Sequence, residues 1–356
     1  MMGCVGFHRE VRARTQLVRC RMSKDRMPAA ATMNAVVCRR YGPPEVLQLA
    51  KVAKPFPRPD EVRVRIHASA VTASDIFIRS ARVMPALQVP FRLMMGITRP
   101  RHPVVGFVFS GVVDEVGERI SRFEPGDEVY GTTGFRLGAY AEYRCMKETD
   151  SRQHGCLALK PENLTHEEST AAAYGGLLAL QYVEKGDVQA GDRVLIYGAS
   201  GTSGTIAVQY AKHLGAIVTG VCSTANIDFV RSLGADQVID YTRTDAPPEG
   251  VRYDFVLDSV GGIKTSRLKK ACKEALATGG KYVSIDDGDL QLSSKRMARL
   301  KELVEAGTIT PVLGRTYPLS DIVEAHRFVE GGHKRGGVAV TIPHAEDRPA
   351  PEGAGG

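Results

Sequence analysis

The spacing of hydrophobic positions changes near residue 160, and each part of the chain predicts a different kind of structure. Before that point the apolar runs are short. Valine and isoleucine alternate with arginine from residue 62 to 66, and a longer apolar run spans 104–116. Turns with Gly and Pro, such as 124–127, separate these runs. Short strands with such turns are typical of a barrel or roll, so we expect a β domain over residues 33–160.

After residue 160 the pattern becomes that of strands alternating with helices. Thr165 is expected to cap a helix whose first turn holds two glutamates. Strands are expected at 194–197, 217–222, 238–240, 255–257 and 282–285, with helices from 202 and 226. This alternation predicts an α/β fold with a doubly wound parallel sheet over residues 161–308. Residues 309–344 are expected to return to the β domain, with a ligand cleft between the domains.

A glycine-rich turn follows the first strand of the second domain. It reads Gly198-Ala-Ser-Gly-Thr-Ser-Gly204 and lies between an apolar run and a helix. The N–H groups and dipole of a helix N-terminus attract a diphosphate, and glycine allows its close approach. The spacing is a variant of the usual G-x-G-x-x-G pattern. The expected dinucleotide-binding residues are Gly198, Ser200, Gly201, Thr202, Ser203 and Gly204.

The end of the second strand indicates which dinucleotide binds. A ribose 2′-OH is usually bound by an acidic residue at this point, but the chain continues Cys222-Ser-Thr-Ala-Asn226. Ser223 and Asn226 can hydrogen-bond a 2′-phosphate that a carboxylate would repel, so we expect NADPH as the cofactor. Ser223 as a plain helix N-cap is the alternative. Arg231, one helical turn further on, is a candidate partner of the phosphate.

Charge and composition exclude several classes of protein. The net charge is +7, but residues 1–33 hold seven basic and two acidic residues, so the rest is too weakly basic for nucleic acid. The seven cysteines are scattered without a C-x-x-C pair, which is typical of reduced thiols inside a cell. No apolar run approaches the ~18–20 residues that span a bilayer, so no membrane insertion is expected.

The two ends of the chain are expected to lie outside the folded body. Residues 1–32 form a basic tail that is disordered or belongs to a start placed too early, with Met27 or Met33 as the alternative start. A tail rich in Arg and poor in acid also resembles a transit peptide. A cytoplasmic location is therefore expected, or an organelle matrix if the tail is a transit peptide. Residues 345–356 are expected to be disordered.

The order of motifs resembles the medium-chain dehydrogenase/reductase superfamily, in its zinc-free quinone-oxidoreductase-like branch. The matching segments are Tyr41-Gly-Pro-Pro-Glu-Val46, Val71-Thr-Ala-Ser-Asp75, Phe123-Glu-Pro-Gly-Asp-Glu-Val129, Gly138-Ala-Tyr-Ala-Glu-Tyr143, the glycine turn, Leu233-Gly-Ala-Asp236, Val238-Ile-Asp-Tyr241 and Asp258-Ser-Val-Gly-Gly262. The resemblance covers residues 33–342 and implies a GroES-like β domain, a Rossmann domain and a homodimer. It also implies that Tyr241, Val260, Gly261, Ser284 and Arg335 contact the cofactor.

The resemblance also implies that the chain holds no catalytic zinc. Zinc members hold the catalytic metal at positions that match Thr72, Phe107 and Tyr174 here, and Phe cannot ligate zinc. Without this Lewis acid, hydride transfer suits a quinone or an α,β-unsaturated carbonyl whose negative charge needs a hydrogen-bond donor. The candidate donors are Tyr174, Thr72 and Ser74. Plain packing of Tyr174 and a capping role for Thr72 are the alternatives.

An apolar, Met-rich stretch at 81–103 is expected to lie near the cleft, with plain packing between the domains as the alternative. The expected substrate is therefore a small hydrophobic electrophile. The chain is accordingly expected to be an NADP-dependent quinone or enone reductase. Two alternatives remain open. One is an enoyl-thioester reductase, and the other is a non-catalytic NADPH-binding interaction protein.

Overall fold

The computed structural model describes residues 31–82, 88–262, 266–288, 290–332 and 334–344. From Thr32 onward these residues belong to one compact unit. The two tails lie outside the described residues, apart from the last residues of the N-terminal tail, so most of what was expected of them is not tested. At the end of that tail β1 begins at Thr32, which pairs with Ala53, so the folded part starts one residue earlier than expected. Among the described helices, none combines the length and apolar character that crossing a membrane requires.

The β domain is built from short strands, as the spacing of apolar residues indicates. They are β1 (Thr32–Cys38), β2 (Leu47–Ala53), β3 (Glu61–Ala70), β4 (Val108–Val116), β5 (Glu128–Thr132), β6 (Tyr143–Lys147) and β7 (Cys156–Leu159), with helices α1 (Ala73–Ser80) and α2 (Gln88–Met95) after β3. The run 104–116 becomes a strand only at Val108. Gly106 precedes it at φ +99°, and a Cβ there would lie 2.5 Å from the Tyr140 nitrogen.

The second part is a doubly wound parallel sheet, which confirms the α/β expectation. Its elements are α3 (His166–Gly186), β8 (Arg193–Tyr197), α4 (Thr202–His213), β9 (Ile217–Cys222), α5 (Ile227–Ser232), β10 (Gln237–Asp240), β11 (Tyr253–Asp258), α6 (Arg267–Glu274), β12 (Leu276–Ser284) and α7 (Ser294–Glu305). The strand order is β10-β9-β8-β11-β12, and every neighbouring pair is parallel. The order reverses beside β8, where such sheets bind ligands.

The end of the chain adds to the first sheet. It comprises β13 (Leu313–Pro318), α8 (Ile322–Glu330) and β14 (Gly337–Thr341). β14 lies antiparallel to β3 in the order β13-β14-β3-β4-β5-β7, and β6 also pairs with β3. The long helix α3 contacts β3, β4 and β14 of the first sheet and also α4 and β12 of the second part. The expected cap on α3 is confirmed, since the Glu168 N–H donates to the Thr165 hydroxyl and the Thr165 N–H to the Glu168 carboxylate.

Candidate nucleotide and hydride-transfer site

The glycine turn has the shape that a dinucleotide-binding turn requires. Gly198 has a φ of +84°, and its N–H and that of Ala199 both donate to the Val221 carbonyl. A Cβ on Gly204 would lie 2.1 Å from the Gly198 oxygen, so the helix can only pack this closely if residue 204 is glycine. A Cβ on Gly201 would meet nothing nearer than 3.4 Å. The space above Gly201, at the N-terminus of α4, is therefore open to an anion.

The turn is fixed from the other side by the segment before β14. The Gly336 N–H donates to the Ser200 carbonyl at 3.0 Å, and the Thr202 hydroxyl donates to the Gly336 carbonyl at 2.8 Å. The Lys334 ammonium in turn donates to the Thr202 hydroxyl, and burial lowers the Lys334 pKa to about 8. The hydroxyl groups of Ser203 and Ser259 lie 2.5 Å apart. The side chains of Thr202 and Ser203 therefore already have protein partners.

A polar cluster lies where β9 ends. The Asn226 amide donates to the hydroxyls of Ser223 at 3.1 Å and Ser200 at 3.4 Å. The Arg335 guanidinium donates to the Asn226 side-chain oxygen at 2.6 Å and to the Ala225 carbonyl. We call Ser200, Ser223, Asn226 and Arg335 the ribose-end cluster. It brings together four residues that the sequence analysis named separately, around a guanidinium that has no carboxylate partner among the described residues.

Three residues near β9, one of them a member of this cluster, differ in how they fit the expectations. Ser223 occupies the N-cap position of a short 3-10 helix, as the capping alternative expects, but its side chain makes no capping hydrogen bond. Arg231 pairs with Asp228 at 3.4 Å and takes no part in the cluster. Tyr241 follows β10, donates its N–H to the Cys222 carbonyl and is 45% exposed as a residue. Its ring is free to lie against a ligand.

The loop after β11 is held by a buried carboxylate that the sequence analysis missed. One oxygen of Asp258 accepts the N–H groups of Val260 at 3.1 Å and Gly261 at 3.2 Å, and the other accepts the Ser284 hydroxyl at 3.3 Å. Val260 also touches the glycine turn, since a Cβ on Gly198 would lie 2.5 Å from its Cγ2. Ser284 therefore positions this loop through Asp258. The sequence did carry a signal for this role, because Asp258 is an acidic residue at the end of an apolar strand.

A pair of hydroxyl groups lies between the two domains. The Ser74 hydroxyl on α1 and the Tyr174 hydroxyl on α3 are 2.7 Å apart. The Phe107 ring meets the Tyr174 ring edge-on, with 5.8 Å between centroids. Burial raises the pKa of Tyr174 to about 12, so the phenol keeps its proton at neutral pH. The pair can therefore offer a hydrogen bond to a developing negative charge.

Thr72 has the structural role that was weighed as its alternative. Its hydroxyl donates to the Asp75 carboxylate at 2.6 Å and accepts the Asp75 N–H, which forms a capping box on α1. The Thr72 side chain is buried, and its single proton is directed at Asp75. Burial raises the pKa of Asp75 to about 6. Of the candidate donors, the Ser74–Tyr174 pair keeps one hydroxyl proton free for a ligand, since the other joins the two oxygens.

The apolar stretch that is expected to line the cleft leaves several of its side chains exposed. Helix α2 leaves Val89, Leu93 and Met94 substantially exposed, with Ile97 just beyond its end. The Tyr41 hydroxyl donates to the Gly96 carbonyl at 2.8 Å and so fixes the end of the helix. Residues 83–87 lie outside the described residues.

Comparison with known families and proteins agrees with this architecture. The profile of the alcohol dehydrogenase GroES-like domain matches residues 58–157, and that of the zinc-binding dehydrogenase domain matches residues 204–324. The chain is 32% identical to the mitochondrial NAD(P)H oxidoreductase RTN4IP1 of Bos taurus, over 88% of this chain and 90% of the relative. It is 28% identical to the chloroplastic NADPH-dependent alkenal/one oxidoreductase of Arabidopsis thaliana, over 86% and 79%.

The chain belongs to the medium-chain dehydrogenase/reductase superfamily, in its quinone-oxidoreductase-like branch. Solved members of this superfamily share its fold. The quinone oxidoreductase of Coxiella burnetii is 27% identical with a TM-score of 0.73, over 88% of this chain and all of that one. An NAD-dependent alcohol dehydrogenase is 31% identical with a TM-score of 0.74, over 87% and 100%. Membership in this superfamily makes the chain an oxidoreductase with a nicotinamide cofactor.

Proposed function

We propose that this chain is an NADPH-dependent reductase that transfers hydride, without zinc, to a quinone or an α,β-unsaturated carbonyl. The observation that carries the proposal is the Ser74–Tyr174 hydroxyl pair, 2.7 Å apart and beside Phe107. The nicotinamide ring supplies hydride when the cofactor is bound. The Tyr174 phenol donates a hydrogen bond to the substrate oxygen as that oxygen gains negative charge, and Ser74 holds the phenol in place.

The ribose-end cluster supports NADPH over NADH. Its members are hydroxyl, amide and guanidinium groups, which hydrogen-bond a phosphate, and a guanidinium binds phosphate oxygens in a bidentate manner. Asp240, which ends β10 opposite Cys222, already accepts the hydroxyls of Thr224 and Thr242. The Asp240 carboxylate is therefore less available to a ribose 2′-OH than a carboxylate without hydrogen-bond partners would be. The named alkenal/one relative, which is NADPH-dependent, agrees with this choice.

The proposal that the reaction needs no zinc rests on the side chains at the three positions where zinc members of the superfamily hold the metal. Thr72 is a capping residue, Phe107 has no ligand atom, and Tyr174 is paired with Ser74. Among the described residues, no group of three or more His, Cys, Asp or Glu side chains could hold a metal ion. A soft electrophile such as an enone suits this site because it accepts hydride at carbon with only hydrogen bonds to its oxygen.

The decisive experiment measures NADPH and NADH oxidation by the purified full-length protein with simple quinones, enones and an enoyl thioester. We expect turnover of quinones or enones with a higher kcat/KM for NADPH, and a zinc content well below one per chain. Turnover of the enoyl thioester alone would favour an enoyl-thioester reductase. Tight NADPH binding without any turnover would favour a non-catalytic role. Sedimentation velocity of the same sample tests the homodimer that the family resemblance implies.

A further inference from the structure

A second pocket lies in the β domain, away from the glycine turn. It has a volume of about 190 Å³ and is lined by residues from the β2–β3 connection, the 3-10 helix Gly134–Arg136, β6 and the turn before β7. The residues that matter here are Phe56, Arg58, Glu61, Arg136, Arg144 and His154. Nothing in the hydride-transfer site uses them.

The arginines that line this pocket have no ion-pair partners among the described residues. Arg58, Arg136 and Arg144 have no carboxylate within 4 Å among the described residues. The Nε of Arg144 is fully buried and has no hydrogen-bond acceptor. Glu61 is the one acidic residue of the lining, and it is itself buried and accepts the Arg58 N–H at 3.1 Å. The charge of Arg144 is therefore not compensated by an acceptor at its Nε inside the protein.

The pKa values of two lining residues, His154 and Arg144, are both lowered in part by the positive charge of Arg136. Burial lowers the pKa of His154, and the charge of Arg136 lowers it further. Burial also lowers the pKa of Arg144, with Arg136 again contributing. Three arginines and one glutamate line the pocket, and their formal charges leave an excess of two positive charges, which matches a dianion. The ring of Phe56, 70% exposed, forms the apolar edge.

We propose that this pocket binds the phosphate group of a phosphorylated organic ligand, with the guanidinium groups of Arg136 and Arg144 on the phosphate oxygens and Phe56 against the organic part. Arginine is suited to this role because its planar fork of donors matches a phosphate bidentately. The exposed Arg58 adds charge at the mouth. The proposal does not depend on which substrate the hydride-transfer site accepts.

Calorimetric titration of the full-length protein with phenyl phosphate and with inorganic phosphate tests the proposal. Phenyl phosphate is expected to bind more tightly, and Phe56→Ala to remove that preference. The double variant Arg136→Gln/Arg144→Lys is expected to weaken binding at least tenfold, and the surface variant Arg58→Gln severalfold. Arg193→Gln/Arg252→Gln is the matched control, because these two arginines line another depression that also holds Asp254; it is expected to change nothing.

Four outcomes overturn the proposal. One is the absence of binding to the wild type, and another is equal weakening in the control variant. If phosphate binding is lost in Arg335→Gln and not in the pocket variants, the anion binds at the ribose-end cluster instead. Equal affinity for both probes, unaffected by Phe56→Ala, would assign the pocket to free phosphate rather than to an organic ligand. If the double variant proves unstable in a thermal melt, the result with Arg58→Gln decides, since that side chain is exposed.

Discussion

The hydroxyl oxygens of Ser74 and Tyr174 lie 2.7 Å apart, although the two residues are a hundred positions apart in the chain. Ser74 stands in the first turn of α1, between the capping-box residues Thr72 and Asp75, and Tyr174 stands on the long helix α3. The pair therefore joins the β domain to the first helix of the parallel-sheet domain. Its geometry depends on the helix start that Thr72 and Asp75 fix.

Removing the Tyr174 hydroxyl is predicted to slow the reaction while leaving the fold intact. Tyr174→Phe keeps the ring against Phe107 but removes the hydrogen-bond donor, so kcat for an enone should fall about 10²–10³-fold, as for the loss of an oxyanion donor. Steady-state NADPH oxidation measures this. Tyr197→Phe is the control, since that phenol contacts Ser266 and lies outside the hydroxyl pair. An unchanged kcat in Tyr174→Phe would assign the phenol to packing.

Arg335 is predicted to discriminate between the two nicotinamide cofactors. Arg335→Gln removes the charge beside Asn226 and should raise KM for NADPH roughly 10–100-fold, the magnitude of a lost charge-assisted hydrogen bond, with little change for NADH. Kinetics with both cofactors test this. Arg231→Gln, on the same surface but paired with Asp228, should affect neither cofactor. Equal effects of Arg335→Gln on NADPH and NADH would exclude a role in binding the 2′-phosphate.

The sequence sufficed for features that depend on local spacing. The alternation of strands and helices around the glycine turn, the cap at Thr165 and the polar end of β9 all follow from residues close together in the chain. The capping box of Thr72 and Asp75 was readable too, because Thr and Asp three residues apart form a known pattern. Contacts such as Arg335 with Asn226, or Ser203 with Ser259, join residues far apart in sequence. Only the packing of separate elements decides these contacts, so spacing could not reveal them.

The two later glycines of the turn are predicted to respond differently to an added methyl group. Gly204→Ala would place a Cβ 2.1 Å from the Gly198 oxygen and 2.9 Å from the Ala199 Cα, and should lower the free energy of unfolding by about 1–3 kcal/mol or more. Gly201→Ala finds room in the protein and should fold normally, yet weaken NADPH binding because its methyl group enters the anion's space. Urea denaturation and a cofactor titration separate these effects. Equal stability of both variants would contradict the packing argument.

Asp75 is predicted to make stability depend on pH in an unusual direction. Burial raises its pKa from 3.8 to about 6 in the folded state, so the folded protein binds the proton more tightly than the unfolded chain. The contribution is fully present below pH 4 and is lost as pH rises through 6, a change of about 3 kcal/mol at most. Asp75→Asn keeps an acceptor for the Thr72 N–H but cannot titrate.

Comparing wild type with Asp75→Asn cancels the other titrating groups. The free energy of unfolding of the wild type minus that of the variant should fall between pH 4 and pH 7, because only the wild type must bury a charged carboxylate at the higher pH. Urea denaturation of both proteins at half-unit pH steps measures the difference. A difference that stays constant, or that rises with pH, would mean that the Asp75 carboxylate is charged and well solvated in the folded protein.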